Sequence, residues 1–152
     1  MEVVDLSEDM VGDFLLCLED WSDEAREAGP RRGEWYGKAV GQGLRVKVAR
    51  DDDGVVGGMI QYLPVEHSHV QGEGLYFVLC IWVHGHKEGR GDHQGKGMGR
   101  ALIEAAEADA RARGAKGMVA WGLTLPFWMK SAWFKRRGYK RVDKMGVAAL
   151  MW

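Results

Sequence analysis

Nine consecutive apolar residues, Leu75-Tyr-Phe-Val-Leu-Cys-Ile-Trp-Val83, constrain this chain most. The run falls well short of the ~20 residues of a membrane span. A strand with one solvated face alternates apolar and polar side chains; continuous apolarity at this length predicts a strand covered on both faces, at the centre of a sheet. With 152 residues the chain has the length for one domain with a real core, and not for two ordinary ones. Its 46% hydrophobic content excludes a disordered chain, and its 3 prolines exclude a proline-rich or collagen-like one.

Elements on either side follow from periodicity and punctuation. Met1–Leu6 reads as a short strand, and Ser7 as the cap of a helix from Glu8 to about Trp21. Gly29, Pro30 and Gly33 predict a break, followed by a shorter helix over Glu34–Val40. Leu44–Ala49 and Val55–Leu63 flank the turn Asp51–Gly54 as a hairpin, and Pro64–Gly74 is a polar loop. After the central strand, His84–His93 reads as a flexible charged stretch with three glycines. Gly97–Arg113 is strongly helical, with Glu107/Arg111 and Asp109/Arg113 as acid-first i,i+4 pairs, and Gly114 ends it. Lys116–Leu123 is a second buried strand. Pro126 opens a helix carrying Phe127, Trp128, Trp133 and Phe134, closed by Gly138; Tyr139–Asp143 and Val147–Trp152 are two final strands. Strand–helix–strand–helix order in this half implies helices packed on a sheet with some parallel pairing.

Gln94-Gly-Lys-Gly-Met-Gly-Arg100 joins the central strand to the best helix in the chain. Glycines let main-chain N–H groups approach a ligand, and a helix start adds unpaired N–H groups and a positive dipole end, a combination suited to phosphate or diphosphate. Counting excludes two nucleotide motifs. A G-x-G-x-x-G from Gly95 or Gly97 would need glycine at Arg100 or Leu102, and Gly95-Lys96 is followed by Gly97 where a P-loop needs Ser or Thr. The pattern that fits is Q-x-x-G-x-G, Gln94 through Gly97 to Gly99. With its strand before and helix after, it resembles the diphosphate loop of the GNAT superfamily of N-acetyltransferases. Trp133-Phe-Lys-Arg-Arg-Gly-Tyr139 is similar to that family's F-Y-x-x-x-G-F segment, and Val147–Trp152 to its terminal strand; the likeness covers about Leu44 to Trp152.

The resemblance implies an α/β (α+β) fold: a mixed, mostly antiparallel sheet of about six or seven strands flanked by helices, its two central parallel strands splayed. It also implies an N-acetyltransferase using acetyl-coenzyme A as cosubstrate, which would lie between Leu75–Val83 and Lys116–Leu123. Main-chain N–H groups of Gly95, Lys96, Gly97, Met98 and Gly99 would receive the diphosphate, with Gln94 and Arg100 beside them. Backbone at Ile81, Trp82 and Val83 would pair with the pantetheine and polarise the thioester carbonyl. Direct attack by a primary amine needs a base for the ammonium proton and sometimes an acid for the thiolate. Many relatives carry a tyrosine acid four residues before Gly138, and this chain has Phe134 there. Ser131 and Tyr139 are the substitutes within reach in sequence. Glu66, with His67 and His69, is the candidate base; Cys80 is the candidate for a covalent route.

The remaining features divide the function classes. The net charge of −1, from 21 Lys+Arg against 22 Asp+Glu, offers no field for nucleic acid, and no apolar run reaches membrane length. Cys17 and Cys80 make no disulfide framework and, with an N-terminus lacking a signal h-region, fit a soluble cytoplasmic protein. Three histidines with Glu88 and Asp92 in the stretch before Gln94 match no established zinc spacing, so no metal is expected; a mobile loop over the site is. Trp82, Trp121, Trp128 and Trp133 cluster on elements flanking the site, as acceptor walls or as core. The partner is then a small-molecule or peptide amine, and the alternative to an enzyme is a non-catalytic acetyl-coenzyme A sensor or scaffold. An apolar C-terminal end is open to two readings: a module cut from a longer protein, or a last strand completing a homodimer's sheet.

Overall fold

The computed structural model describes every residue from Met1 to Trp152. Seven strands make one sheet: β1 (Glu2–Asp5), β2 (Arg45–Arg50), β3 (Val56–Pro64), β4 (Leu75–Val83), β5 (Gly117–Leu123), β6 (Arg141–Met145) and β7 (Ala148–Met151). Their spatial order is β1-β2-β3-β4-β5-β7-β6, and only β4 with β5 is parallel. Helices α1 (Val11–Leu15) and α2 (Asp23–Gly41) cover one face; α3 (Met98–Ala112) covers the other, and α4 (Ser131–Lys135) packs at β5 and β7. The fold is α+β, as the resemblance implies.

The apolar run is β4, residue for residue. Adjacent Phe77 and Val78 enter opposite core layers, 3% and 0% exposed, so both faces are covered at the strand's start. Under α3, Leu102, Ile103 and Ala106 pack on Ile60, Val78 and Ala120; on the other side Phe14 and Ala39 pack with Val48, Met59 and Val119.

Four local expectations need correcting. The first helix stops at Leu15: Cys17 and Leu18 take positive φ (54° and 61°), a turn that drives the Leu18 side chain wholly into the core. Conversely, α2 runs unbroken through Gly29, Pro30 and Gly33. Ser22 caps it, accepting the Ala25 N–H at 3.2 Å, and Gly29 and Gly33 lie against Leu16 and Leu15. Tertiary packing here outweighs intrinsic costs of about 1 kcal/mol per glycine and about 3 for proline. The helix expected from Pro126 is only α4, because Leu123 N–H donates to the Met129 carbonyl at 2.7 Å and the intervening segment loops back along β5. Finally, β7 lies between β5 and β6, so the last strand cannot complete a partner's sheet; the edge is the fully exposed β6. No helix is long and apolar enough to cross a membrane.

Gly37, inside α2, has open space where a Cβ would stand. Gly37→Ala is therefore expected to stabilise the fold by about 0.5–1 kcal/mol, raising Tm by roughly 2 °C in a thermal melt. A lowered Tm would contradict a continuous α2.

Candidate active site

Parallel pairing of β4 and β5 covers only Leu75–Val78 against Gly117–Ala120. At that point β4 also shifts against β3: Val78 faces Tyr62 and Cys80 faces Gln61, leaving Leu79 as the extra residue of a bulge. A bulge bends and twists its strand, and past it β4 is no longer paired with β5. The later residues Leu79, Cys80, Trp82 and Val83 are accordingly half-buried rather than covered. On the far side β7 holds β5 through Ala120–Leu123. Gly122 lets α4 sit directly on β5, since a Cβ there would fall 2.6 Å from the Ser131 Cα.

The opening is a cleft of about 480 Å³. Ile81, Trp82 and Val83 form one wall, the Gln94–Arg100 turn its head, and Phe127–Lys130 with Trp133, Arg136 and Arg137 the other wall. Within the turn Gly95 (φ 74°) and Gly97 (φ 90°) are left-handed, a conformation that favours glycine. Gly97 is the N-cap of α3; no side chain caps this helix and no acid stands in its first turn, so its N–H groups have no protein anion beside them. Gln94 fixes the turn to the strand, its Nε2 donating to the Val83 carbonyl at 3.1 Å. Met98 is buried at 2% exposure, so its backbone alone is available to a ligand, and Lys96 is exposed outside the lining. The walls contribute Arg100, Lys130, Arg136 and Arg137 and no carboxylate. Such a cleft suits an anionic ligand.

None of the candidate proton carriers is among the residues that line the cleft, and Ser131 is the one whose neighbours in sequence, Lys130 and Trp133, do. Ser131 packs on Gly122 at the diverging end of β5, between Lys130 and the Trp133 wall. Tyr139 does not reach it: its hydroxyl is buried in the α3 layer, donates to Glu107 at 2.9 Å, and has its pKa raised by burial and by that carboxylate. Glu66 lies in the turn before β4, at the end of the strand away from the cleft. There it accepts the Gly74 N–H at 2.9 Å, which holds its carboxyl below the usual range. His69 stacks parallel to Trp121, 6.3 Å between centroids, on the α1–α2 side. Cys80 is half-buried on β4, and burial pushes its thiol pKa up to about 11.

Phe134, at the position where the family resemblance implies a tyrosine in many members, is wholly buried between Trp133 and Tyr139. Phe134→Tyr would place a hydroxyl in an apolar layer, so a loss of about 1–2 kcal/mol is expected in chemical denaturation. Unchanged stability with raised turnover would instead reveal an open acid position.

The stretch Gly85–Asp92 is not a loose loop. Arg90, 7% exposed at its side chain, bridges Asp13 (3.0 Å), Asp20 (3.4 Å) and the Val56 carbonyl (2.9 Å). His84 and His93 turn ring N–H groups onto the Gly91 and Arg90 carbonyls. They are fastenings of this segment. Sequence reasoning misses Phe127, Met129, Lys130, Arg136 and Arg137 as site residues, although all line the cleft. Lys135-Arg136-Arg137 reads in sequence as favourable cations at a helix end; the short α4 carries Arg136 and Arg137 to the cleft instead.

With this geometry, a family model described as the acetyltransferase (GNAT) domain matches residues 42–141. The chain belongs to the GNAT acetyltransferase family. Solved structures similar to this GNAT protein include the PaiA N-acetyltransferase from Thermoplasma acidophilum in complex with coenzyme A (16% identity, 99% of this chain and 96% of that chain, TM-score 0.67). An aminoglycoside 6'-N-acetyltransferase from Acinetobacter haemolyticus is similar at 20% identity over 95% and 94% of the two chains, TM-score 0.69. A GNAT acetyltransferase from Staphylococcus aureus reaches TM-score 0.68 at 9% identity, covering 99% and 96%. At these identities the likeness is one of fold. No curated protein matches the sequence.

Proposed function

We propose that this GNAT protein transfers an acetyl group from acetyl-coenzyme A to a primary amine of a small molecule or peptide by direct attack. The observation that carries the reading is the cleft itself: two parallel strands that part after Val78 and Ala120, headed by an uncapped, glycine-turned helix start. The cationic lining and aromatic walls fit coenzyme A, which joins a diphosphate to a long, weakly polar arm. Main-chain N–H groups of Gly95, Lys96, Gly97, Met98 and Gly99 receive the diphosphate, and Ile81–Val83 hold the arm along β4.

When bound, acetyl-coenzyme A supplies the acyl group as an activated thioester. The chain's own part is to orient it, exclude water and handle protons. Main-chain N–H groups of β4 near Ile81–Val83 stabilise the charge that develops on the carbonyl oxygen. Ser131 is assigned to the thiolate's side of the cleft as proton donor. Cys80, protonated at neutral pH, leaves attack to the amine itself. Trp128 donates its indole N–H to the Ile81 carbonyl at 3.2 Å, so an arm laid along β4 must turn this ring aside. Acetyl-coenzyme A is therefore expected to shift the tryptophan emission as it raises Tm.

Thermal shift with acetyl-coenzyme A, coenzyme A and ATP tests the cosubstrate. No stabilisation at high ligand would overturn the reading. Thiol release over polyamines, aminoglycosides, amino acids and peptide N-termini tests turnover; aminoglycosides belong in the panel because a structural relative acts on one. The buried Phe134 favours a second reading, a cofactor-binding module without turnover. Binding with no thiol release across the panel would support it.

A further inference from the structure

A second cavity, of about 290 Å³, lies away from the cleft and shares no lining residue with it. Helix α3 reaches both. Its first residue, Met98, lines the cleft, whereas Glu107 and Arg111, about 14 and 20 Å further along the axis, line the second cavity. Gly117 and Met118 bring in β5 at its paired end, where Gly117 faces Leu75, and not at the end where the strands part.

Three charges stand around this cavity without neutralising one another. Two other acid–base pairs four residues apart along α3 do close, Arg100 with Glu104 at 2.7 Å and Arg113 with Asp109 at 3.0 Å. The sequence expects the same of Glu107 and Arg111, but that pair is not formed. Glu107 is held instead by Tyr139, whose hydroxyl donates to it at 2.9 Å. Arg111, and Lys116 in the turn after the helix, are left with no carboxylate partner. Between the acid and the two bases the floor is apolar, made by buried Ala110 and Met118. Trp152 forms a side wall. Its indole lies over Gly117, where a Cβ would fall 2.7 Å from Nε1, and its main chain is tied to Lys140 in both directions, at 2.8 and 2.7 Å.

An acid and a base held apart across an apolar floor suit a ligand carrying both opposite charges. Residues four apart on a helix are separated by about 6 Å along its axis. An ammonium and a carboxylate on one carbon, with a charge-assisted bond of about 2.8 Å on either side, bridge that gap. A cavity of this size, at the lower end of the range for ligand sites, admits a small molecule only. We propose that it binds a free amino acid with an apolar side chain: ammonium on Glu107, carboxylate on Arg111 and Lys116, side chain over Met118 and against Trp152. Sitting away from the cleft, such a ligand is an effector and not the acceptor amine, and its binding needs no coenzyme A.

Calorimetric titration in the absence of acetyl-coenzyme A tests this with four probes. They are L-leucine, L-leucinamide without the carboxylate, N-acetyl-L-leucine without the ammonium, and glycine without the side chain. Wild type is expected to bind L-leucine about tenfold more tightly than each of the others. Arg111→Gln and Lys116→Gln are each expected to weaken L-leucine about tenfold while leaving L-leucinamide as in wild type, and Glu107→Gln to weaken L-leucine but not N-acetyl-L-leucine. No binding of L-leucine by wild type would overturn the site. Equal binding of L-leucine and both blocked forms would also overturn it, leaving apolar adhesion alone. L-leucine bound undiminished by Arg111→Gln and Lys116→Gln would overturn it too, placing the amino acid elsewhere on the molecule. Arg111 and Lys116 are exposed, so their variants carry the test should Glu107→Gln, which alters the Tyr139 bond, fail to fold.

Discussion

Gly97→Asp is expected to weaken acetyl-coenzyme A binding by at least 100-fold while the protein stays folded. Two effects act at one atom. The residue sits at φ 90°, which strains any side chain by about 1–2 kcal/mol, although Asp is among the types that tolerate it best. The larger effect is charge: a carboxylate at the N-cap of α3 stands where the diphosphate would accept its hydrogen bonds. A hundredfold loss corresponds to about 2.7 kcal/mol, modest for two anions forced together in a partly enclosed cleft. A Cβ at Gly97 meets no atom within 4 Å, so the substitution creates no clash of its own. Gly97→Ala is the control, sharing the strain without the charge; it should lose stability but only a few-fold in affinity. Calorimetry with acetyl-coenzyme A, beside circular dichroism, separates the two. Binding by Gly97→Asp within threefold of wild type would mean that this turn is not the anion cradle.

That the turn can be singled out from sequence has a physical basis. Its features are local: left-handed glycines, a helix start and an apolar strand before it are all set by neighbours in the chain. The same holds for β4 and α3, whose patterns depend on being covered or half-covered along their whole length. Features set by contact with distant residues were not legible. Gly29 and Pro30 look like a break until Leu15 and Leu16 are seen packed on that side of α2. Tyr139 looks like a spare acid until Glu107, on α3, is found holding its hydroxyl. Arg136 and Arg137 look like ordinary helix-end cations because the extent of α4 is set by the loop back from Leu123 to Met129. The splay of β4 from β5 was expected only through the family resemblance. Its origin, the Leu79 bulge, lies in a register that periodicity does not reveal.

The segment before the turn, which its three glycines mark as loose, leads to the second large effect. Arg90→Ala is expected to destabilise the fold by about 2–3 kcal/mol and to release Gly85–Asp92. Arg90 reaches three acceptors on separate elements: Asp13 in α1, Asp20 in the turn after it, and the Val56 carbonyl opening β3. Its removal leaves two carboxylates without a cation and a carbonyl without a donor. Breaking a fully buried pair in this way costs about 3–5 kcal/mol; Asp13 and Asp20 are 42% and 43% exposed, so water recovers part of it. Denaturation should show the lower stability, and trypsin should cut after Lys87 at least tenfold faster than in wild type. The cleft should be spared, because the base of the loop is closed separately: His93 N–H donates to the His84 carbonyl at 2.9 Å, and Gln94 holds Val83. Acetyl-coenzyme A affinity is accordingly expected to fall no more than a few-fold. Unchanged stability and unchanged proteolysis would show that Arg90 does not hold this segment. Arg90→Lys should rescue little, since a single ammonium cannot span three acceptors that the planar guanidinium meets with two nitrogens.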